Sequence, residues 1–191
     1  MSPLEVIAVA FGLANIALLI RRSIWNYPVA LVMVTLYAWI FFHAHLFSDF
    51  LLQPFFFVVN IVGWVAWLRH RGQDGAVTVV QCSKRQILLA LMGTAAGALL
   101  LGMLTKRFGA AYPFWDGTVA AASVTGQLLL TWRKLENWLW WTGADVVAIG
   151  VYTAKGLYLT AGLYAVFLVM AALGYVSWRR TLSTQQEPAV S

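Results

Sequence analysis

One carboxylate, Asp145, interrupts a long apolar stretch and follows closely after three tryptophans in ENWLWWTGADVV, residues 136–147. An ionisable side chain inside an apolar span is costly to bury and indicates a functional role. Its partner could be a basic side chain, a proton, or a cation that binds and leaves. No Lys or Arg falls in the middle of an apolar run, so a permanent ion pair is not expected. A protonated carboxyl and a transient cationic ligand both stay open.

Aromatic side chains share a helical face with Asp145. Trp138, Trp141 and Tyr152 follow the spacing of that face. Rings around a carboxylate suit an organic cation, and each ring contributes about 0.5 to 2 kcal/mol when desolvated. Amides in other runs would suit hydroxyl groups, so the residues indicate a flat, cationic, hydroxyl-bearing small molecule. The predicted substrate-binding residues are Gln53, Phe57, Asn60, Trp64, Gln127, Trp138, Trp141, Asp145 and Tyr152.

Other tryptophans and amides have ordinary explanations. Tryptophans near span ends form the aromatic belt at the membrane interface. The amides Gln53 and Asn60 could alternatively stabilise packing between helices. The tryptophans assigned to the belt are Trp25, Trp67, Trp115, Trp132, Trp140 and Trp178.

The sequence predicts neither an enzyme nor a cofactor or metal site. His43, His45 and His70 lack a carboxylate or thiol at ligand spacing, and Cys82 is the only cysteine. No nucleophile–base pair and no glycine-rich phosphate loop is present. The net charge of +6 comes from basic residues between apolar runs. That distribution indicates membrane topology and lipid headgroups rather than nucleic acid.

The composition predicts an all-α membrane protein. The chain has 191 residues, 61% hydrophobic and 10% charged, whereas soluble domains are about half apolar and a quarter charged. Such a chain cannot cover its surface with polar groups, so lipid must be its solvent. No Lys or Arg precedes the first apolar run, so a cleaved signal peptide is not expected. The seven predicted transmembrane runs are 4–20, 28–47, 51–68, 86–105, 117–132, 138–154 and 158–178.

Basic residues predict the orientation of these seven crossings. Seven crossings place the two termini on opposite sides, and ten Lys and Arg fall on one side against three on the other. The positive-inside rule assigns the richer side to the cytoplasm. The amino terminus is therefore predicted outside and the carboxyl terminus inside.

A shift of 111 residues aligns several features of the sequence. Arg22 falls on Arg133, and Asn26-Tyr27 falls on Asn137-Trp138. Gly63-Trp64-Val65-Ala66-Trp67 falls on Gly174-Tyr175-Val176-Ser177-Trp178. The shared offset indicates a duplicated three-helix unit, although duplication could serve bundle stability alone. Both copies run in the same direction, so one extra crossing must join them, which gives a parallel repeat of three plus one plus three helices.

The repeat predicts one membrane domain over residues 1–191 with internal boundaries. Pro54 is expected in the first turn of the third helix, where proline is tolerated. The parts of the domain are a first three-helix repeat (1–70), a loop with the linker helix (71–110), a second three-helix repeat (111–180) and a loose cytoplasmic tail (181–191).

Four motifs resemble the PnuC family of bacterial vitamin transporters over nearly the whole chain. They are LLQPFFFVVNIVGWVAW, PFWD at 113–116, TWRKLENWLWW at 131–141 and KGLYLTAGLY at 155–164. The pattern W-x-x-W-x-x-x-N/D, typical of that family, is met by Trp138, Trp141 and Asp145.

The resemblance implies a multi-pass inner-membrane transporter of nicotinamide riboside. Such proteins work by facilitated diffusion, which we expect to proceed by alternating access, and a cytoplasmic kinase traps the substrate. Relatives carry thiamine, riboflavin or deoxynucleosides, so thiamine, which is also cationic, is the alternative. The resemblance also implies a possible homotrimer.

The resemblance implies roles for individual residues. Trp141 should stack on the base, and Asp145 should bind polar or cationic parts of the ligand. Gln53 and Asn60 should reach the ribose or the amide. Asp145 stands where members of the family can have Asn, and its charge suits a cation without separating nicotinamide riboside from thiamine.

Overall fold

Seven α-helices make up the fold in the computed structural model, which describes residues 3–43, 47–72 and 76–186. They confirm the predicted all-α class, and their ends lie close to those of the seven apolar runs. His45 and the tail beyond residue 186 lie outside the described residues. The helices are α1 (Pro3–Ile20), α2 (Asn26–His43), α3 (Phe47–Leu68), α4 (Lys84–Arg107), α5 (Pro113–Thr131), α6 (Asn137–Ala154) and α7 (Tyr158–Gln186).

Four helices in the described part of the chain are long and apolar enough to cross a membrane, namely α1, α2, α4 and α7. The third helix has a shorter apolar stretch, Leu52–Leu68. The exposed side chains of α4 are mostly Leu and Met, so its surface suits hydrocarbon. The orientation and the three-plus-one-plus-three arrangement stay predictions.

Two helix boundaries differ from the expected ones. Pro54 lies inside α3, because the helix begins at Phe47 rather than near the proline. The predicted loose tail is also wrong at its start, since α7 continues to Gln186. In this segment the hydroxyl groups of Thr181 and Thr184 donate to carbonyl oxygens four residues earlier in the helix.

The chain forms two compact units. The first contains the chain up to Thr78 with Thr131–Arg133 and the residues from Gln185 onward, and the second contains Val79–Leu130 and Lys134–Thr184.

Two arginines end helices in a conformation that normally favours glycine. Arg22 and Arg133, 111 residues apart, both have a φ of 57°. The Ser23 amide donates to the Leu18 carbonyl at 3.0 Å, and the Lys134 amide donates to that of Leu129 at 3.0 Å. These bonds close the same C-terminal turn after α1 and α5. The helices α4 and α6 end in similar turns with Gly109 and Gly156 at positive φ.

The hydrophilic connection before α4 is held by hydrogen bonds in each unit. In the first unit, Arg22 Nη1 donates to the Val77 carbonyl at 3.0 Å, and Arg133 Nη1 donates to Thr78 Oγ1 at 2.7 Å. These side-chain bonds offset the cost of a left-handed arginine.

In the second unit, the same connection is hydrogen-bonded to the turn before α6. The Leu135 amide donates to the Val80 carbonyl at 2.9 Å, and the Cys82 amide donates to Glu136 Oε2 at 2.9 Å. Ser83 and Gln86 then form a capping box that starts α4.

A ring lies against a glycine in both units. In the first, a Cβ on Gly63 would lie 2.6 Å from the Tyr27 ring, and Tyr27 meets Trp67 edge-on with centroids 5.2 Å apart. In the second, a Cβ on Gly174 would overlap the Trp138 ring, and Trp138 meets Trp178 edge-on at 5.6 Å. Each contact therefore requires a glycine.

The prediction that Trp67 and Trp178 belong to the interfacial belt is wrong. Both side chains are 0% exposed, because the edge-on ring contacts place them in the protein interior. Trp25, Trp115 and Trp132 are between 59% and 66% exposed, as a belt requires.

Candidate ligand-binding site

Asp145 lies two turns into α6 and is 5% exposed. Within the described residues it forms no ion pair, and the ion pair present joins Lys155 to Asp116 at 2.7 Å. The described part of the chain therefore places no basic side chain in an ion pair with Asp145. A buried carboxyl without such a partner needs a proton or a cationic ligand.

Trp141 precedes Asp145 by four residues and so lies on the same face of α6. The residue is half-buried, but its Nε1 is fully buried and has no hydrogen-bond acceptor in the part of the chain that the structure describes. Buried indole N–H groups usually have a partner. Trp141 thus combines a partly accessible ring with an unused donor.

Trp140, next to Trp141 on α6, is held by a hydrogen bond to α4. Its Nε1 donates to Thr94 Oγ1 at 2.8 Å, and Thr94 shares a 2.9 Å hydrogen bond with Thr125. The side chain is 9% exposed and packs in a cluster with Ala122 and Ala144. The assignment of Trp140 to the interfacial belt is wrong, because this hydrogen bond and packing hold it inside.

Trp138 is the predicted site residue that the structure fits least well. It is 1% exposed, with its ring against Gly174 and Trp178. That burial leaves no ring face for a ligand, so the structure supports a packing role instead.

Tyr152 belongs to an aromatic group near the end of α6. Its ring stacks on Tyr164 with centroids 5.2 Å apart, and Tyr164 meets Phe167 edge-on at 5.7 Å. Lys155 Nζ lies 5.7 Å from the Tyr152 centroid while it pairs with Asp116. The PFWD and KGLY motifs are therefore joined by an ion pair, which the sequence analysis did not predict.

Gln127 on α5 is 6% exposed, and its neighbour Gly126 lies against Trp141. The structure therefore places the backbone next to Gln127 beside the predicted site on α6. The importance of Gly126 was also missed, because a glycine carries no chemical group that a sequence pattern can reveal.

The predicted residues of α3 lie in the first unit. Asn60 is 5% exposed, and its Nδ2 donates to the Phe56 carbonyl at 2.8 Å, a bond that fits the alternative of a structural amide. Gln53 and Trp64 are half-buried. Phe57 is 38% exposed and lines an apolar groove between α2 and α3, which fits lipid better than a polar ligand.

A family model described as nicotinamide mononucleotide transporter matches residues 2–180. The chain belongs to the nicotinamide mononucleotide transporter family. The predicted resemblance to PnuC proteins is thereby confirmed, and membership in this family of transporters also agrees with the prediction of a non-enzyme.

Curated relatives in the nicotinamide mononucleotide transporter family have more specific names. The nicotinamide riboside transporter PnuC of Escherichia coli K12 is 28% identical over 100% of this chain and 91% of its own length. The PnuC of Neisseria mucosa is 24% identical over 91% of this chain and 71% of its own. The riboflavin/roseoflavin transporter RibM of Streptomyces davaonensis is 26% identical over 87% of this chain and 80% of its own.

The fold of this family member matches a solved structure. The crystal structure of the vitamin B3 transporter PnuC superposes with a TM-score of 0.78 over 95% of this chain and 82% of that chain, at 23% identity. At this identity the match supports the fold, and the ligand must be argued from the site.

Proposed function

We propose that this protein carries nicotinamide riboside across the bacterial inner membrane by facilitated diffusion. The observation that carries the proposal is the pairing of Asp145, buried without a basic partner, with Trp141 on the same helical face. A carboxylate beside an accessible ring suits a flat pyridinium cation. The names of the relatives point to the same substrate.

The charges of the chain favour the riboside over the mononucleotide in the family description. A mononucleotide adds a phosphate group, which proteins hold with Arg, Lys or helix N-termini. No Lys or Arg falls within residues 23–68, 108–132, 135–154 or 156–178. The carboxylate of Asp145 would also repel a phosphate, so a dephosphorylated nucleoside is the better ligand.

The other parts of the proposal follow from the family. Trp141 stacks on the base, and Asp145 binds polar or cationic parts of the ligand. Alternating access releases the ligand to the cytoplasm, where a kinase traps it by phosphorylation. Outward amino termini and a homotrimer belong to the same proposal.

Riboflavin and thiamine are the alternative ligands. RibM is similar to this chain over 87% of its length and is named for riboflavin, which is neutral, whereas thiamine shares the positive charge of nicotinamide riboside. If loss of the Asp145 carboxylate weakens ligand binding, one of the two cations is favoured. If binding is unchanged without it, riboflavin is favoured.

The test is a binding panel with purified protein, followed by uptake into liposomes. We expect saturable binding and uptake of nicotinamide riboside. Trp141→Ala should weaken binding about 5- to 150-fold, since stacking on a base contributes about 1–3 kcal/mol. Asp145→Ala should weaken it strongly as well, and calorimetry measures both.

Trp132→Ala is the matched control, because that ring is 59% exposed and lies outside the proposed site. It should bind like the wild type. If Trp141→Ala and Asp145→Ala also bind like the wild type, the ligand site is elsewhere in the protein.

A further inference from the structure

Gly126 on α5 lies directly against the Trp141 indole. A Cβ at position 126 would lie 3.2, 3.3 and 3.4 Å from Cε2, Nε1 and Cδ2 of Trp141. All three atoms belong to the five-membered ring, so the ring turns a face towards the glycine backbone. Carbon pairs are most favourable at about 3.5–4.0 Å, so an added methyl would push the ring away.

The surrounding hydrogen bonds leave the ring as the part that can move. Thr125, next to Gly126, bonds to Thr94 at 2.9 Å, and Thr94 accepts from Trp140 at 2.8 Å. Thr125 Oγ1 also lies 3.0 Å from the Ala121 carbonyl. Because these bonds connect α4, α5 and α6 next to the contact, separating α5 from α6 would break them. Rotation of the Trp141 side chain costs less.

We propose that Gly126 is a positioning residue of the ligand site, and this inference rests on the function proposed above. The missing side chain lets one face of Trp141 rest on α5, which sets where the opposite face stands for a ligand to stack on. Nε1 is buried and has no acceptor among the described residues, so packing against Gly126 is the contact that positions the indole. Gly126 does not itself contact the ligand.

Gly126→Ala tests the proposal, with Gly143→Ala as the matched control. A Cβ on Gly143, in α6 between Trp141 and Asp145, would meet nothing within 4 Å. To stack on the ligand, the Trp141 ring would have to return against the added methyl group. Overpacking typically costs about 1–3 kcal/mol, so Gly126→Ala should bind nicotinamide riboside at least about five-fold more weakly by calorimetry. Gly143→Ala should stay within about two-fold of the wild type. Equal affinity of the two variants would overturn the proposal.

A Trp141→Phe background distinguishes positioning from general damage to the fold. The phenyl ring is smaller than the indole and leaves room for a methyl group. Adding Gly126→Ala to Trp141→Phe should therefore change affinity by less than about two-fold, as expected for coupled neighbours. A loss as large as in the wild-type background would contradict the proposal.

Fluorine NMR of protein labelled with 5-fluorotryptophan adds a readout without ligand. The Trp141 signal is the one that disappears in Trp141→Phe. It should shift in Gly126→Ala and stay in place in Gly143→Ala, and an unmoved signal would overturn the proposal. Because no vitamin is added, this result is separate from the proposed function, which fails if the wild type binds none of the panel.

Discussion

Single side chains in this protein differ sharply in how far their environment changes their chemistry. Cys82 is the only cysteine, and its amide is bonded to Glu136 in the turn before α6. Burial first, and then the hydrogen bond and negative charge of Glu136, raise the pKa of its thiol to about 12. The thiolate is the reactive form, so this cysteine should be nearly inert at neutral pH.

We expect Cys82 to react with iodoacetamide at pH 8 at least about ten-fold more slowly than a free cysteine, whose pKa is about 8.5. The rate should rise as pH approaches 12, because the thiol loses its proton there. Glu136→Gln removes a negative charge and should lower the pKa and speed the reaction. Mass spectrometry measures the rate, and a rate equal to that of free cysteine would contradict the expectation.

The residues of the site were only partly predictable from sequence. Asp145 was found because a charge in an apolar run has few explanations. The burial of Trp138 and Trp140 was not predicted, because a helical spacing gives the face of a residue but not what packs against it. Gly126 left no signal, since its effect depends on a ring that follows 15 residues later in the sequence.

Helices and their turns follow the sequence more closely than the site does. The apolar runs gave all seven helices because lipid solvation requires long uninterrupted segments. The predicted start of α3 near Pro54 was wrong, since a proline can be accommodated inside a helix. The predicted end of α7 before Thr181 was also wrong, since a polar composition does not by itself end a helix. The arginine turns after α1 and α5 could not be predicted, because arginine normally avoids positive φ.

The turn after α5 can be tested by replacing its arginine in two ways. Arg133→Ala loses the hydrogen bond to Thr78 and keeps a strained left-handed residue. Arg133→Gly loses the same bond but relieves the strain, so it should be the more stable variant by about 1 kcal/mol. Thermal unfolding in detergent compares the two.

Arg21 provides the control, since it is an exposed neighbour of the equivalent turn after α1 without positive φ. The Arg21→Gly variant should be no more stable than the Arg21→Ala variant. If Arg133→Gly unfolds at a lower temperature than Arg133→Ala, the left-handed conformation does not limit stability.

For the whole molecule, the predicted seven crossings would place ten Lys and Arg on one side of the membrane and three on the other. The orientation derived from this asymmetry can be tested with single cysteines in a Cys82→Ser background. Phe108, 82% exposed after α4, is expected outside, and Ser183 near the end of α7 is expected inside. A membrane-impermeant maleimide should label Phe108→Cys in intact cells and Ser183→Cys only after permeabilisation. The reverse labelling pattern would show that the protein has the opposite orientation in the membrane.

The ring-on-glycine contacts constrain how the two halves of the sequence can diverge. At Gly63 and Gly174 any larger residue meets an aromatic ring of the preceding helix. A substitution at either glycine should therefore be tolerated only together with a second substitution that replaces the facing ring by a smaller side chain. The two contacts have different rings, Tyr27 and Trp138, against the same residue type, glycine.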